Sequence, residues 1–185
     1  MNTAVTSKEE ILKTSRELIR RQGWAAVSIR SVAASCGVSG GSIYNYFDSK
    51  TDLIGATVES VWCEIFHRPE DDAVFQDVQA CVAWMYQRMA YGCERYPGFF
   101  TLHSLGFLRE DKTAGKQRMQ QTWQHILAGL RSVLKQDVRI RPDAFTEQFT
   151  AEKFADVLFS QMLSALLRQD YDPSAVLEIV RRTLY

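Results

Sequence analysis

The stretch from Ser28 to Lys50, SIRSVAASCGVSGGSIYNYFDSK, constrains the fold of this chain more than any other. Ser28 is a natural N-cap, because its hydroxyl oxygen can accept from the free amides of a first helical turn. Ile29, Val32 and Ala33 follow at helical spacing and supply one apolar stripe. Gly37 then provides the residue that tolerates a left-handed helix stop, and Val38 turns back toward the core. Ser39 caps a second helix whose inward side is Ile43 and Phe47. Its other side carries Gly40, Gly41, Ser42, Tyr44, Asn45 and Tyr46. Two short helices joined by a tight turn, with small residues opening the second and hydrogen-bonding aromatics closing it, suit a helix-turn-helix whose second helix enters a groove of duplex DNA.

The run VSGGSIYNYFDSK, preceded by SIRSVAASCG and followed by TDLI, resembles the DNA-binding domain of the tetracycline-repressor (TetR) family of bacterial regulators. The resemblance covers roughly residues 8 to 56. Its most specific part is the Tyr-x-Tyr-Phe-x-x-Lys ending formed by Tyr44, Tyr46, Phe47 and Lys50. It implies that Ser28, Tyr46 and Lys50 face phosphates, each offering a donor, and that Tyr44 faces DNA. Phosphate contacts position a protein, whereas base-edge contacts specify sequence. Arg30 is the candidate base reader: it sits early on the first helix of the motif, and its fork can bind guanine bidentately. Asn45 suits adenine or a phosphate equally, and Tyr44 could instead pack on Val27 or Ile29. Ser39, Gly40, Gly41 and Ser42 complete the expected DNA-binding set. Gly40 departs from the family, which usually carries a longer side chain there, and each glycine of the pair weakens helix propensity by about 1 kcal/mol. Ser31 stands where an acid would complete a capping box with Ser28.

Net charge is uninformative, with 22 basic and 22 acidic side chains. Its distribution is better: residues 1–50 hold seven basic and four acidic side chains, and residues 51–185 hold fifteen and eighteen. A mildly basic head on a mildly acidic body fits DNA held at one end. No apolar run is long enough to span a bilayer, and MNTAVTSKEE has no signal-peptide core, so a soluble cytoplasmic protein without membrane partners is expected. Cys36, Cys63, Cys81 and Cys93 show no CxxC spacing and read as reduced thiols. Cys63 and His67 stand four residues apart, as two metal ligands can, but no second pair accompanies them, and no metal or cofactor is expected. No nucleophile elbow, HExxH or phosphate-binding glycine loop occurs, so no enzyme is expected.

The remaining periodicity is helical throughout, predicting an all-α chain. Ser7 and Glu10 open a helix to Gln22 as a capping box, with Ile11, Leu12, Ser15, Leu18 and Ile19 inward. Further helices are expected over Thr51–His67, Asp72–Arg95, Phe99–Arg109 and Lys112–Gln136, with two more near the C-terminus. This divides the chain into a three-helix DNA-binding domain (1–50) and a helical ligand-binding and dimerisation domain (51–185).

Residues 62–123 hold 11 of the chain's 21 aromatic side chains. Aromatics at helical spacing can simply fill a core. They can also line a ligand cavity, and the variable inducer domain of the TetR family favours that reading. The expected lining is Trp62, Phe66, Trp84, Tyr91, Phe100, His103, Phe107, Trp123 and Gln161, with His125 and Gln121 as further polar groups. The stripe Phe154, Leu158, Met162 and Ala165, with Val176, Ile179 and Val180 on the last helix, is expected to form a four-helix homodimer seam. The family then implies a ligand-responsive regulator, a repressor released from a palindromic operator by a small apolar or aromatic inducer. The alternative is a helical interaction module that has lost DNA binding.

Overall fold

The computed structural model describes residues 6–67, 75–100 and 113–185, with side chains in the last stretch from residue 120 onward. Among the described residues there are eight α-helices and no strand: α1 (Lys8–Gln22), α2 (Ile29–Cys36), α3 (Gly40–Tyr44), α4 (Lys50–Ile65), α5 (Val78–Arg95), α6 (Thr113–Gln136), α7 (Ala151–Arg168) and α8 (Ser174–Leu184). The chain is all-α, as its periodicity requires. None of these helices is long and apolar enough to cross a membrane. Helix α5 begins at Val78, six residues later than expected, where the Asp77 carboxylate accepts from the Ala80 amide at 3.1 Å. Of the expected Phe99–Arg109 helix, Phe99 and Phe100 lie in a turn, and the rest falls outside the described residues.

The residues group into two compact units. The first comprises residues 1–65 and 92–122, the second residues 66–91 and 123–185, so α5 and α6 each contribute to both. In the first unit α1 packs on α2 and α4, and α2 packs on α3. Ile11, Ile19, Val32, Ile43, Phe47 and Leu53 are all essentially inaccessible and form the core beneath the helix-turn-helix. A second apolar cluster stacks Trp62, Phe99 and Phe100, with ring centroids 4.9–6.3 Å apart and edge-on. Gly92 eases this packing: a Cβ there would lie 2.6 Å from the Ile65 Cδ1 atom and 3.2 Å from the Phe100 ring, so a side chain would force those neighbours to shift.

A polar clasp lies beside that cluster. The Glu64 carboxylate of α4 pairs with Arg16 (2.8 Å) and Arg20 of α1 and with Arg95 (3.3 Å) of α5. Arg20 also donates to the Tyr96 hydroxyl at 2.7 Å and lies over that ring. Burial pushes the Glu64 carboxyl up, but the Tyr96 hydroxyl and the two α1 arginines outweigh it and hold it below its ordinary value. The helix that buttresses the helix-turn-helix is thereby tied to α4 by charge-assisted hydrogen bonds.

In the second unit α5, α6, α7 and α8 enclose Met85, Met89, Leu130, Phe154, Leu158, Met162, Val180 and Leu184. The stripe expected to meet a second copy is thus turned inward. Phe154, Leu158, Met162 and Ala165 are buried within the chain's own fold, as are Val176 and Val180, and only Ile179 of that set is exposed. Helix α7 is apolar on more than one side, and its larger side chains take the intramolecular core. On these two helices the large apolar residues that stand exposed are Val157 and Leu167 of α7 and Ile179 of α8.

Candidate DNA-reading surface and ligand cleft

The helix-turn-helix is built by local chemistry at each of its joints. The Ser28 hydroxyl oxygen accepts from the Ser31 amide (3.1 Å), and the Ser31 hydroxyl oxygen accepts from the Ser28 amide (3.0 Å). A serine therefore closes the capping box that seemed to need an acid. Gly37 ends α2 at φ +68°, and the Gly37 and Val38 amides return to the carbonyls of Ala34 and Ala33 at 3.2 and 3.0 Å. Ser39 then caps α3 through the Ser42 amide at 3.2 Å. After Tyr44 the backbone holds one further turn, because the amides of Tyr46 and Phe47 both bond to the Ile43 carbonyl. Ile43 and Phe47 anchor that turn in the core.

Anchoring one side exposes the other. Tyr44 is 52 % exposed, so it does not pack on Val27 or Ile29 as a core residue. Arg30, Ser39, Gly41, Asn45, Tyr46 and Lys50 are exposed too, while Ser28, Gly40 and Ser42 are partly covered. All ten residues of the expected DNA-binding set thus lie on or at the edge of one solvent-facing motif. Two have prior commitments. The Ser28 oxygen serves the cap, and the Tyr46 hydroxyl donates to the Thr6 carbonyl, pinning the segment that precedes α1 against the reader. Arg30 and Lys50 are the cations of the set.

Gly40 has no intramolecular reason to be glycine. Its φ is not positive, and a Cβ would meet only the Ile29 Cγ2 atom at 3.7 Å, an ordinary contact. Gly40→Ala is accordingly expected to stabilise the free protein by about 0.5–1 kcal/mol through helix propensity. Urea unfolding measures this; a loss of stability would mean that α3 depends on a bare backbone at this position.

The second unit holds a cleft of about 290 Å³ walled by α5 and α6. Phe66, Phe75, Cys81, Trp84 and Met85 form one wall; His125, Ile126, Gly129, Ser132, Val133 and Gln136 are among the residues of the other. Trp84 stands edge-on to Phe75 and Phe66, with centroids 5.4 and 6.2 Å away. Burial pushes the Cys81 thiol up to about 12, so it is protonated and inert at neutral pH.

Of the nine expected lining residues, Phe66 and Trp84 line this cleft. Trp62 and Phe100 fill the core of the first unit and are 1 % and 5 % exposed. Tyr91 is at the surface, with the Arg88 guanidinium 4.4 Å from its ring centre. Trp123 packs edge-on against Phe159, and Gln161 is exposed on α7. His103 and Phe107 lie outside the described residues. Sequence reasoning missed Phe75, Met85, Gly129, Ser132 and Gln136. The signal for the α6 wall was there: His125, Gly129, Ser132 and Gln136 recur at i, i+4, i+7 and i+11, a polar and small-residue face on an otherwise amphipathic helix. Cys63 and His67 are both exposed, and among the described residues no group of three His, Cys, Asp or Glu side chains gathers to hold a metal ion.

Comparison with known proteins agrees with this geometry. Residues 11–57 match the family described as bacterial regulatory proteins, tetR family. An uncharacterised HTH-type transcriptional regulator of Bacillus subtilis, YerO, is 42 % identical over 52 residues, a segment that covers 28 % of this chain and 18 % of that protein. The nucleoid occlusion factor SlmA of Escherichia coli is 27 % identical over 173 residues, covering 89 % of this chain and 84 % of its own length. Among solved structures, the transcriptional regulator FadR of Bacillus subtilis in complex with stearoyl-CoA superposes with a TM-score of 0.65 at 16 % identity, covering 97 % of this chain and 100 % of that one. Residues 11–57 therefore form a helix-turn-helix domain of the kind found in bacterial regulatory proteins of the tetR family.

Proposed function

We propose that this regulator is a ligand-responsive repressor, a cytoplasmic homodimer that holds a pseudo-palindromic operator and releases it when a small apolar or aromatic inducer binds. The observation that carries the reading is the joint presence of an exposed, well-capped reader motif and a separate aromatic cleft. Residues 1–50 serve DNA, and residues 51–185 serve ligand and dimer. Arg30 reads a base edge; Lys50 supplies phosphate affinity together with Ser28 and the small residues around Ser39, and Tyr46 joins them when DNA takes its hydroxyl from the Thr6 carbonyl. No residue is given a catalytic role. Val157, Ser160, Ser164 and Leu167 recur along α7 at i, i+3, i+7 and i+10, the spacing of a helix-packing seam. With Ile179 on α8 they form the face on which two copies meet. Inducer changes operator affinity by its differential affinity for the two states of the protein. Helix α5 is the natural carrier, since Cys81, Trp84 and Met85 wall the cleft, while Arg95 pairs with Glu64 in the clasp that holds α1.

Fluorescence anisotropy across a salt series tests the DNA half, using an operator selected from a random duplex pool and a scrambled duplex. Arg30→Ala is expected to cost about 1–3 kcal/mol on the operator alone and to relax preference at one guanine per half-site. Lys50→Ala is expected to weaken both duplexes alike and to lower the salt slope by about one unit per subunit. Equal losses on both duplexes for Arg30→Ala would make Arg30 a phosphate contact. Absence of any salt-dependent binding by the unaltered chain would leave the interaction-module reading in its place.

A further inference from the structure

We infer that the outer face of α1 is a docking surface for a second copy of this chain, paired antiparallel through alternating charges, so that copies held on neighbouring stretches of DNA bind cooperatively. The contact goes beyond the homodimer proposed above, because it joins one dimer to the next. It rests only on the reading that residues 1–50 hold DNA.

The surface is a groove of about 260 Å³ between α1 and the end of α2. Glu10, Lys13, Glu17 and Arg21 line it, the buried Leu18 is its floor, and Ser35 of α2 stands on its other side. The four charged residues recur at i, i+3, i+7 and i+11, so they share one face of the helix. Arg16 and Arg20 point away from it and reach Glu64 of α4. The outer four are less fully paired within the chain. Lys13 lies 3.7 Å from Glu10, with both side chains more than half exposed. Glu17 gives one of its two carboxylate oxygens to Arg20. Arg21 is exposed and meets no acidic side chain among the described residues.

The order of signs identifies the occupant. From Glu10 to Arg21 the face runs minus, plus, minus, plus; turned end for end it runs plus, minus, plus, minus. A second α1 laid antiparallel therefore sets Glu10 against Arg21 and Lys13 against Glu17, and the two-fold axis repeats both pairs. The two registers differ by one residue, about 1.5 Å along the helix, which long side chains absorb. A parallel two-fold pairing would set each charge on its own copy, so the pattern admits one orientation. Thr14, a short side chain near the midpoint, lets the helices approach. Exposed ion pairs of this kind each contribute little, because water and salt screen them. They do not hold two free molecules together, but they act once DNA raises the local concentration of one copy beside the next. Cooperative occupancy of DNA follows, rather than a larger free oligomer.

The test compares a duplex carrying one selected operator with duplexes carrying two, at spacings that step through one helical turn, about 10 base pairs. Mobility-shift titrations of the full-length chain read the ratio of the affinities for the second and the first site. The unaltered chain is expected to fill the second site at least about tenfold more tightly at the best spacing, and the ratio should shrink as salt rises. Arg21→Glu and Glu10→Arg should each bring the ratio to about one by setting like charges face to face. Binding to the single operator and the melting temperature should stay near those of the unaltered chain, which shows that both variants fold. The double variant Glu10→Arg/Arg21→Glu rebuilds the pairs with their signs exchanged and should regain the cooperativity. A general change in charge or stability would not produce that recovery. A ratio that survives either single reversal, or a double variant no more cooperative than the singles, would overturn the contact. Independent filling by the unaltered chain at every spacing would also overturn it and leave the groove to a partner other than this chain. Failure of the unaltered chain to bind even the single operator would strike the helix-turn-helix reading first, and this contact with it.

Discussion

Leu158→Glu is expected to unfold the second unit, with a loss of at least about 4 kcal/mol, rather than to separate two intact subunits. Leu158 is 4 % exposed, on the inward side of α7. Truncating a buried leucine alone costs about 2–5 kcal/mol, and a carboxylate in its place adds the cost of an unpaired buried charge. The neighbouring residue provides the control. Val157 is 46 % exposed, so Val157→Glu should leave the folded chain within about 0.5 kcal/mol of its original stability. If α7 carries the dimer seam, the same substitution should shift sedimentation from dimer to monomer. Circular dichroism and sedimentation velocity on the two variants decide the matter. A folded, monomeric Leu158→Glu would restore the inward stripe as the interface. A dimer unaffected by Val157→Glu would place the seam away from α7.

Asp137→Ala carries the second large effect, a destabilisation of about 3 kcal/mol concentrated at the start of α5. Asp137 follows α6 directly, and its side chain is 1 % exposed. Its carboxylate accepts from the Val78 amide (3.1 Å), from the Arg139 backbone amide (3.0 Å), from Nε and Nη2 of the Arg139 guanidinium (3.1 Å each) and from the Tyr185 hydroxyl. Arg139 also reaches Asp77 at 2.7 Å, so the first turn of α5, the end of α6 and the residue after α8 share one polar knot. Removing the carboxylate strands a buried amide and a half-buried hydroxyl together.

The same knot sets an acid limit. Burial alone pushes the Asp137 carboxyl up, but Arg139, then Tyr185 and the Val78 amide, outweigh it and hold the group well below the carboxylate range. A depressed folded value means that the unfolded chain binds the proton first, so the contribution is complete above the unfolded value of about 3.9 and is lost progressively below it. The melting temperature of the unaltered chain should therefore fall steeply as pH drops below about 4, and that of Asp137→Ala should fall less. Parallel profiles for the two proteins would show that the knot does not govern acid stability.

The helix-turn-helix could be read from the sequence because every joint in it is local. Ser28 and Ser39 each accept from an amide three residues on, Gly37 donates its own amide to carbonyls three or four residues back, and Ile43 and Phe47 declare the buried side by spacing alone. Local hydrogen bonds and left-handed stops need no tertiary partner, so residue order determined the motif, the all-α class and the exposed set from Arg30 to Lys50. Even there a detail escaped: Ser31 was discounted as a capping residue because acids are the commoner partner, whereas a hydroxyl at that distance closes the box equally well. What periodicity does not contain is which of two apolar faces a helix turns toward its own chain. Helix α7 offered both, and packing volume assigned Leu158 inward and Val157 outward. The cleft was illegible for the same reason. Trp62 and Phe100 resemble Phe66 and Trp84 in composition, yet the first pair closes on itself against Gly92 while the second stands open opposite Gly129. Whether an aromatic fills a core or lines a site depends on what faces it across tens of residues of chain, and only the folded structure brings those residues together.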